Sequence, residues 1–372
     1  MTDDAAAGVR PGIADQLAHL VSDADKVGLV RAVRAGFDTL FTEDYRQDGH
    51  RGIDALYKRA KTTQWDADLD IDWTVGDQID RARDPRNPMN AVYRTEEGVF
   101  GKLSAAQRAE MGHATAAWTT SQFLHAEQGA VVCAAKLVQA APWIDAKFYA
   151  ASQVMDEARH TEVYARYLRE KLEWQFPVNV HLRGLLDEIV ADSRWDFTYL
   201  GMQVVIEGLA LAAFGIEYQM TPDPLLKQIT RYVMADEARH VAFGVLSLRD
   251  VYADLTAAEL KERQEFCFDA ALRMRDRFLA REVWEVLGLP EAECTAIMLH
   301  DPVQIEFRRS LFAKIVPNLK KLGLLDHGDG WLRRRFGELG VLVYEDLDDT
   351  STDYHRMDLD HAPWSVVQFQ HY

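Results

Sequence analysis

Asp156-Glu157-Ala158-Arg159-His160 returns unchanged as Asp236-Glu237-Ala238-Arg239-His240. Each copy has another glutamate upstream at the same distance, Glu127 before Glu157 and Glu207 before Glu237. Pro142 and Pro222 keep the offset that separates the two copies. A lone Glu-x-x-His is a common chance match, and Glu110-x-x-His113 is read as one. A doubled pentapeptide with doubled upstream glutamates is a pattern of another order.

The prolines give the pattern a geometry. Glu127 stands as far before Pro142 as Glu157 stands after it. In two antiparallel helices turning near that proline, both side chains stand at one height, about 22 Å from the turn at 1.5 Å per residue. Glu207, Pro222 and Glu237 repeat the arithmetic. Within each pentapeptide, Glu and His at i, i+3 share a helix face. Stacking the two helix pairs brings Glu127, Glu157, His160, Glu207, Glu237 and His240 to one level of a four-helix bundle. One Glu from each of two helices and Glu-x-x-His from each of the other two is a di-metal carboxylate arrangement.

Metal is also what the surroundings of these glutamates call for. Glu207 sits in Val204-Val205-Ile206-Glu207-Gly208-Leu209-Ala210-Leu211, apolar on every side, with no basic residue within a turn. Glu127 runs into Gly129-Ala130-Val131-Val132-Cys133, and Lys136 is more than two turns away. An unpaired carboxylate buried there costs several kcal/mol or stays protonated; two divalent cations compensate four of them. Oxygen-rich ligands with one imidazole per metal suit iron or manganese, whereas zinc more often recruits cysteine or more histidine. Two iron ions are expected, with mixed Mn/Fe as the variant. Successive helix residues point about 100° apart, so Asp156 cannot face the metal that Glu157 faces. It can reach the neighbouring helix, which predicts crossed pairs, Asp156 to His240 and Asp236 to His160, fixing each imidazole. Arg159 and Arg239 would balance the aspartates.

The rest of the chain sets limits. It has 372 residues, 48% of them apolar, enough for a substantial core. A net charge of −17 and a pI near 5.1 argue against nucleic acid or an anionic membrane as partner. Arg333, Arg334 and Arg335 are read as a solvated face. Three scattered cysteines, Cys133, Cys267 and Cys294, predict free thiols and a cytoplasmic protein. The acidic N-terminus lacks the features of a signal peptide, and no uncharged run approaches the ~20 residues of a membrane span. Residues 1–12 are expected to be disordered and 13–372 to form a single domain. Apolar spacing (Leu17, Leu20, Val27, Val30, Val33, Phe37) predicts a helix from Ile13 to about Leu40. Residues 64–103 are expected to be irregular and to cross the surface. Four long helices follow at about 104–140, 144–173, 190–219 and 223–253, broken at prolines. They form the core, 104–253; beyond them come helices at about 256–286 and 302–321 and an irregular acidic tail from Glu345.

At the repeated residues the chain resembles the ferritin-like diiron-carboxylate superfamily. The Asp-Glu-Ala-Arg-His form is most similar to its oxygenase branch, which includes multicomponent monooxygenase hydroxylases, aromatic acyl-CoA epoxidases and arylamine N-oxygenases. The resemblance spans about residues 120–245. It implies an all-α ferritin-like four-helix bundle with additional N- and C-terminal helices, with the six residues above as iron ligands. It also implies reductive O2 activation and hydroxylation, epoxidation or N-oxygenation of a small organic substrate. Electrons would come from a reductase or ferredoxin, and a homodimer is compatible with it. The substrate is expected between the first and third bundle helices, against Phe123, Val131, Val204, Gly208 and Leu211. Leu211 stands where multicomponent hydroxylases carry threonine, and Val233 where arylamine N-oxygenases carry a third histidine. Storage ferritins are about half this length. Tyr164, one turn after His160, has the spacing of the radical tyrosine of ribonucleotide reductase small subunits. It is read first as a core tyrosine on the metal-facing stripe with Tyr167, and second as a pocket tyrosine with a candidate catalytic role. A radical-generating subunit and an iron-storage protein are the alternative functions.

Overall fold

Capping side chains mark where two of the bundle helices begin. The Ser104 hydroxyl accepts the Gln107 backbone N–H while the Gln107 side chain reaches back to the Ser104 backbone, and Asp223 accepts the N–H groups of Leu225 and Leu226 beside Pro224. The computed structural model describes residues 31–47, 50–76 and 98–357. The chain divides into two units, residues 1–35 and 36–372. Of the first, residues 31–35 are described and are irregular; the expected boundary at residue 12 lies outside the described residues. All described helices belong to the second unit, and no strand occurs among the described residues.

The helices run in order α1 (Arg51–Thr62), α2 (Gly98–Gly101), α3 (Ala105–Ala140), α4 (Ile144–Tyr167), α5 (Val180–Ala191) and α6 (Trp195–Met220). They continue as α7 (Pro224–Tyr252), α8 (Ala257–Asp276), α9 (Arg281–Val286), α10 (Glu291–His300), α11 (Pro302–Ser310), α12 (Ile315–Lys321), α13 (Trp331–Glu338) and α14 (Thr350–Asp353). The ferritin-like four-helix bundle is α3, α4, α6 and α7, close to the four expected spans. Helix α6 starts later than expected because Asp192 ends the separate helix α5. It widens to π-helical turns over Tyr199–Ile206 and becomes α-helical again at Glu207, the kind of irregularity that concentrates at functional sites. A stretch of α6 is long and apolar enough to cross a membrane, yet all of it is buried inside the protein. That places it as the core helix of the bundle.

Glycine permits a close approach of α7 to α6. A Cβ at residue 244 would lie 2.7 Å from the Gln203 side chain, so Gly244 lets α7 press against α6 just above the repeated glutamates.

Three expectations need correction. Residues 31–40, assigned to a helix by apolar spacing, are irregular; the part before residue 31 lies outside the described residues. The Leu40 N–H donates to Gln139 O at 2.9 Å and the Thr42 hydroxyl to Pro142 O at 2.9 Å. Bonds to the far end of α3 thus replace those of a helical turn. Residues 64–76 are irregular but not superficial, since Trp65, Ala67 and Ile71 are buried. The acidic tail is partly structured: Asp353 of α14 forms a buried ion pair with Lys314 at 2.9 Å. Helix α1, unforeseen, buries Ile53, Leu56 and Ala60 as one stripe. Arg333, Arg334 and Arg335 pair with Asp326, Asp329 and Glu338 on the surface.

Candidate metal centre

The antiparallel turns at Pro142 and Pro222 bring the six repeated residues together in the middle of the bundle, each at most 4% exposed. They form two overlapping sets, Glu127, Glu157, His160 and Glu237, and Glu157, Glu207, Glu237 and His240. Within each set one donor atom per residue lies within 4.8 Å of the others. Glu157 and Glu237, the pentapeptide glutamates, belong to both. His160 turns Nδ1 inward, 3.1 Å from Glu237 and 3.2 Å from Glu157, and His240 Nδ1 lies 3.0 Å from Glu157. Both Nε2 atoms point away from this centre.

Those outer nitrogens meet aspartates across the bundle. His160 Nε2 is 3.2 Å from Asp236 Oδ2, and His240 Nε2 is 3.3 Å from Asp156 Oδ2. Each aspartate also pairs with the arginine one turn on, Asp156 with Arg159 and Asp236 with Arg239. An imidazole whose Nε2–H is held by a carboxylate presents Nδ1 as the metal-binding lone pair.

Other residues complete the site without any signal in the repeat. Trp65 donates its indole N–H to Asp236 at 2.7 Å, and the preceding Gln64 donates to Asp156 at 3.1 Å. Two consecutive residues after α1 thus cover the two crossed pairs. Gln153, one turn before Glu157, donates to both Glu157 and Glu207 at 2.9 Å, and Gln203 approaches Gln153 at 3.5 Å. The repeat puts Val233 opposite Gln153 and Phe123 opposite Gln203, so the two metal sets have unlike flanks, one amide-lined and one apolar. A polar residue one turn before each of two repeated glutamates was a readable signal for Gln153 and Gln203. Trp65 gave none.

The electrostatics fit a pair of cations. Burial, reinforced by Glu237, raises the Glu127 carboxyl well above the usual range, and burial with Glu237 and Glu157 does the same to Glu207. Burial opposes charge at Glu157 too, but His240 and His160 outweigh it and hold this carboxyl low. Burial likewise opposes an imidazolium at His160 and His240. Hydrogen bonds to Asp236, Glu127 and Glu157 overcome it at the first, the Glu157 charge at the second, and both are raised. Among the described residues, Glu207 Oε2, both Glu237 oxygens and His240 Nδ1 nonetheless have no well-directed hydrogen-bond partner. Inward-facing buried lone pairs without a donor are what two divalent ions would satisfy.

Glu110, of the third Glu-x-x-His, is exposed, and His113 bonds Leu172 O at 2.9 Å. Glu110→Ala should leave metal content unchanged; loss of metal on elemental analysis would contradict the common level of the six buried residues.

Beside the apolar set lies a cavity of about 130 Å³, close to that of an engineered cavity that holds benzene. Trp118, Phe123, Tyr167, Phe278, Met298 and Phe307 are among its walls. It starts at Phe123, one turn from Glu127, and follows α3 back to Gly112. Of the five expected pocket residues, Phe123 alone borders it. Val204 and Leu211 are fully buried in the core, Val131 is partly exposed, and Gly208 faces Ile315 and the Lys314 carbonyl. The helices after α7 fill that face of α6, which displaces the cavity along the bundle. Tyr164 is fully buried, packed with Phe123 and Phe214 at ring separations of 5.9 and 6.1 Å, and its hydroxyl has no hydrogen-bond partner among the described residues.

The model of a family described as p-aminobenzoate N-oxygenase AurF matches residues 46–323, about three quarters of the chain. No curated protein matches. Solved structures of similar fold include an R2-like ligand-binding oxidase with an aerobically reconstituted Mn/Fe cofactor. It is 15% identical with a TM-score of 0.44, over 83% of this chain and 99% of that one. A variant R2-like ligand-binding oxidase with an anaerobically reconstituted Mn/Fe cofactor is 15% identical with a TM-score of 0.46, over 75% and 96%.

Proposed function

The chain belongs to the p-aminobenzoate N-oxygenase AurF family, and from that membership we propose that it is a cytoplasmic diiron monooxygenase that N-oxygenates a small aromatic amine. The observation that carries this reading is the juxtaposition of two overlapping carboxylate–imidazole sets with a ring-sized cavity one helical turn away.

Glu157 and Glu237 would be shared by two iron ions, with Glu127 and His160 completing one coordination set and Glu207 and His240 the other. Bound there, iron supplies reductive activation of O2. The protein's part is orientation and exclusion of water. Asp236 and Asp156 hold the imidazoles by their Nε2–H groups, and Gln153 fixes the carboxylates of Glu157 and Glu207. Trp118, Phe123, Phe278 and Phe307 give the substrate ring an apolar seat. The overall change is an amine N–H becoming N–OH, with O2, two electrons and two protons consumed and one water released. A separate reductase or ferredoxin is the electron donor. The buried, unpaired cysteines suit a reducing compartment.

The test is single-turnover oxidation of aniline by iron-loaded, chemically reduced protein under 18O2. The expected result is one 18O atom in phenylhydroxylamine and about two iron ions per chain. Zinc alone, or aniline left unchanged by protein with full iron content, rules the reading out. Tyr164→Phe should keep both metal ions and most of the turnover, because the hydroxyl has no hydrogen-bond partner among the described residues. A tyrosyl EPR signal in the O2-exposed protein that vanishes in this variant, together with activity, would instead support radical generation.

A further inference from the structure

We propose that Glu217 reads the far end of the substrate ring, and that the group it meets there is a hydrogen-bond donor or a cation rather than a carboxylate. The proposal rests on the oxygenase reading above. Among the described residues lining the cavity there are two acids, Glu217 and Asp223, and no lysine, arginine or histidine. Asp223 is already engaged, its oxygens accepting the Leu225 N–H at 2.9 Å and the Tyr167 hydroxyl at 2.7 Å. The Glu217 carboxyl has no partner among the described residues.

Register places Glu217 correctly for this role. It follows Glu207 by almost three turns of α6, about 15 Å along the axis, and its side chain tilts back toward the helix N-terminus. That leaves room for one ring between the metal-facing end of the cavity at Phe123 and the Glu217 carboxyl. Tyr164, packed against Phe123, lies within electrostatic reach of both Glu127 and Glu217. Burial, and then the charge of Asp223, push the Glu217 carboxyl up to about 7. A ligand donor or ammonium group would relieve that burial by a charge-assisted hydrogen bond. A ligand carboxylate would instead add a third negative group to a poorly solvated site. The seat therefore suits a ring amine whose opposite substituent is an amine or hydroxyl, in contrast to p-aminobenzoate.

The experiment is anaerobic calorimetric titration of the metal-loaded protein at pH 8 with 4-aminobenzylamine, 4-aminobenzoate and 4-methylaniline. The wild type should bind 4-aminobenzylamine at least about 10-fold more tightly than 4-aminobenzoate, the scale of one charge-assisted hydrogen bond. Glu217→Gln and Glu217→Ala should bring the two within about 3-fold, while 4-methylaniline binds alike to all three proteins. Equal wild-type affinity for the benzylamine and the benzoate overturns the proposal, as does a preference that survives both substitutions. Oxidation of 4-methylaniline is followed separately. If it binds and is never oxidised, the oxygenase reading fails while the charge preference stands; if it is oxidised and the preference is absent, the reverse holds.

Discussion

Glu237→Ala protein is expected to leave purification with almost no bound metal, against two ions in the wild type. Glu237 belongs to both ligand sets, so its loss strips each ion of a ligand at once. It also removes the negative charge that offsets the second cation, and both effects act in the same low-dielectric space. Glu157→Ala should behave the same way. Glu127→Ala and Glu207→Ala each remove a ligand from one set only, and should retain about one ion. The fold should survive these changes, since truncating any of the four carboxyls relieves a buried, like-charged cluster. Elemental analysis of gel-filtered protein with circular dichroism as the folding control checks the series. Equal metal loss in all four variants would mean that Glu157 and Glu237 are not shared, and the two-set geometry would have to be given up.

Asp236→Ala should be the most destabilising single change near the site. This aspartate is 1% exposed and meets the Trp65 indole N–H, Arg239, Arg159 and His160. Removing it takes the carboxylate from Arg239, which keeps the Ala235 carbonyl, and one of two carboxylates from Arg159, which keeps Asp156, and it leaves the indole N–H without its acceptor. Breaking a buried ion pair by deleting one partner costs about 3–5 kcal/mol, read as a lower urea midpoint of the metal-free protein at unchanged slope. A second effect is local to His160. Without its Nε2 acceptor the imidazole is no longer held with Nδ1 toward the metal, and affinity should fall about 10–100-fold. Asp236→Asn, which keeps an acceptor oxygen for Trp65 and His160, should recover part of both losses. Normal stability and metal affinity in Asp236→Ala would show that the crossed pair does no positioning.

Much of this architecture was legible from a repeat. Equal spacing of Glu127 and Glu157 about Pro142, and of Glu207 and Glu237 about Pro222, is enough to set two antiparallel helix pairs at one height. The rise per residue is constant, so sequence distance converts into position along the axis. The angular step between neighbours then separates Asp156 from Glu157 and sends the aspartates across the bundle. The same logic failed at residues 31–40, where apolar spacing was right for a helix. There the chain instead bonds to the end of α3, an outcome that local periodicity does not encode.

The sequence by itself determined which six side chains meet, at what level, and through which faces, because all of that follows from helical geometry within two short repeats. Only the tertiary structure decided what surrounds them. Trp65 reaches Asp236 from far away in the chain, out of a stretch without period. The helices after α7 close the face of α6 at Gly208, so that the cavity opens instead beside Phe123 and brings Glu217 to its wall. Periodicity tells a helix which side to bury. Which distant segment does the burying depends on shape and volume fitted across the whole core, and no local stretch of sequence carries that information.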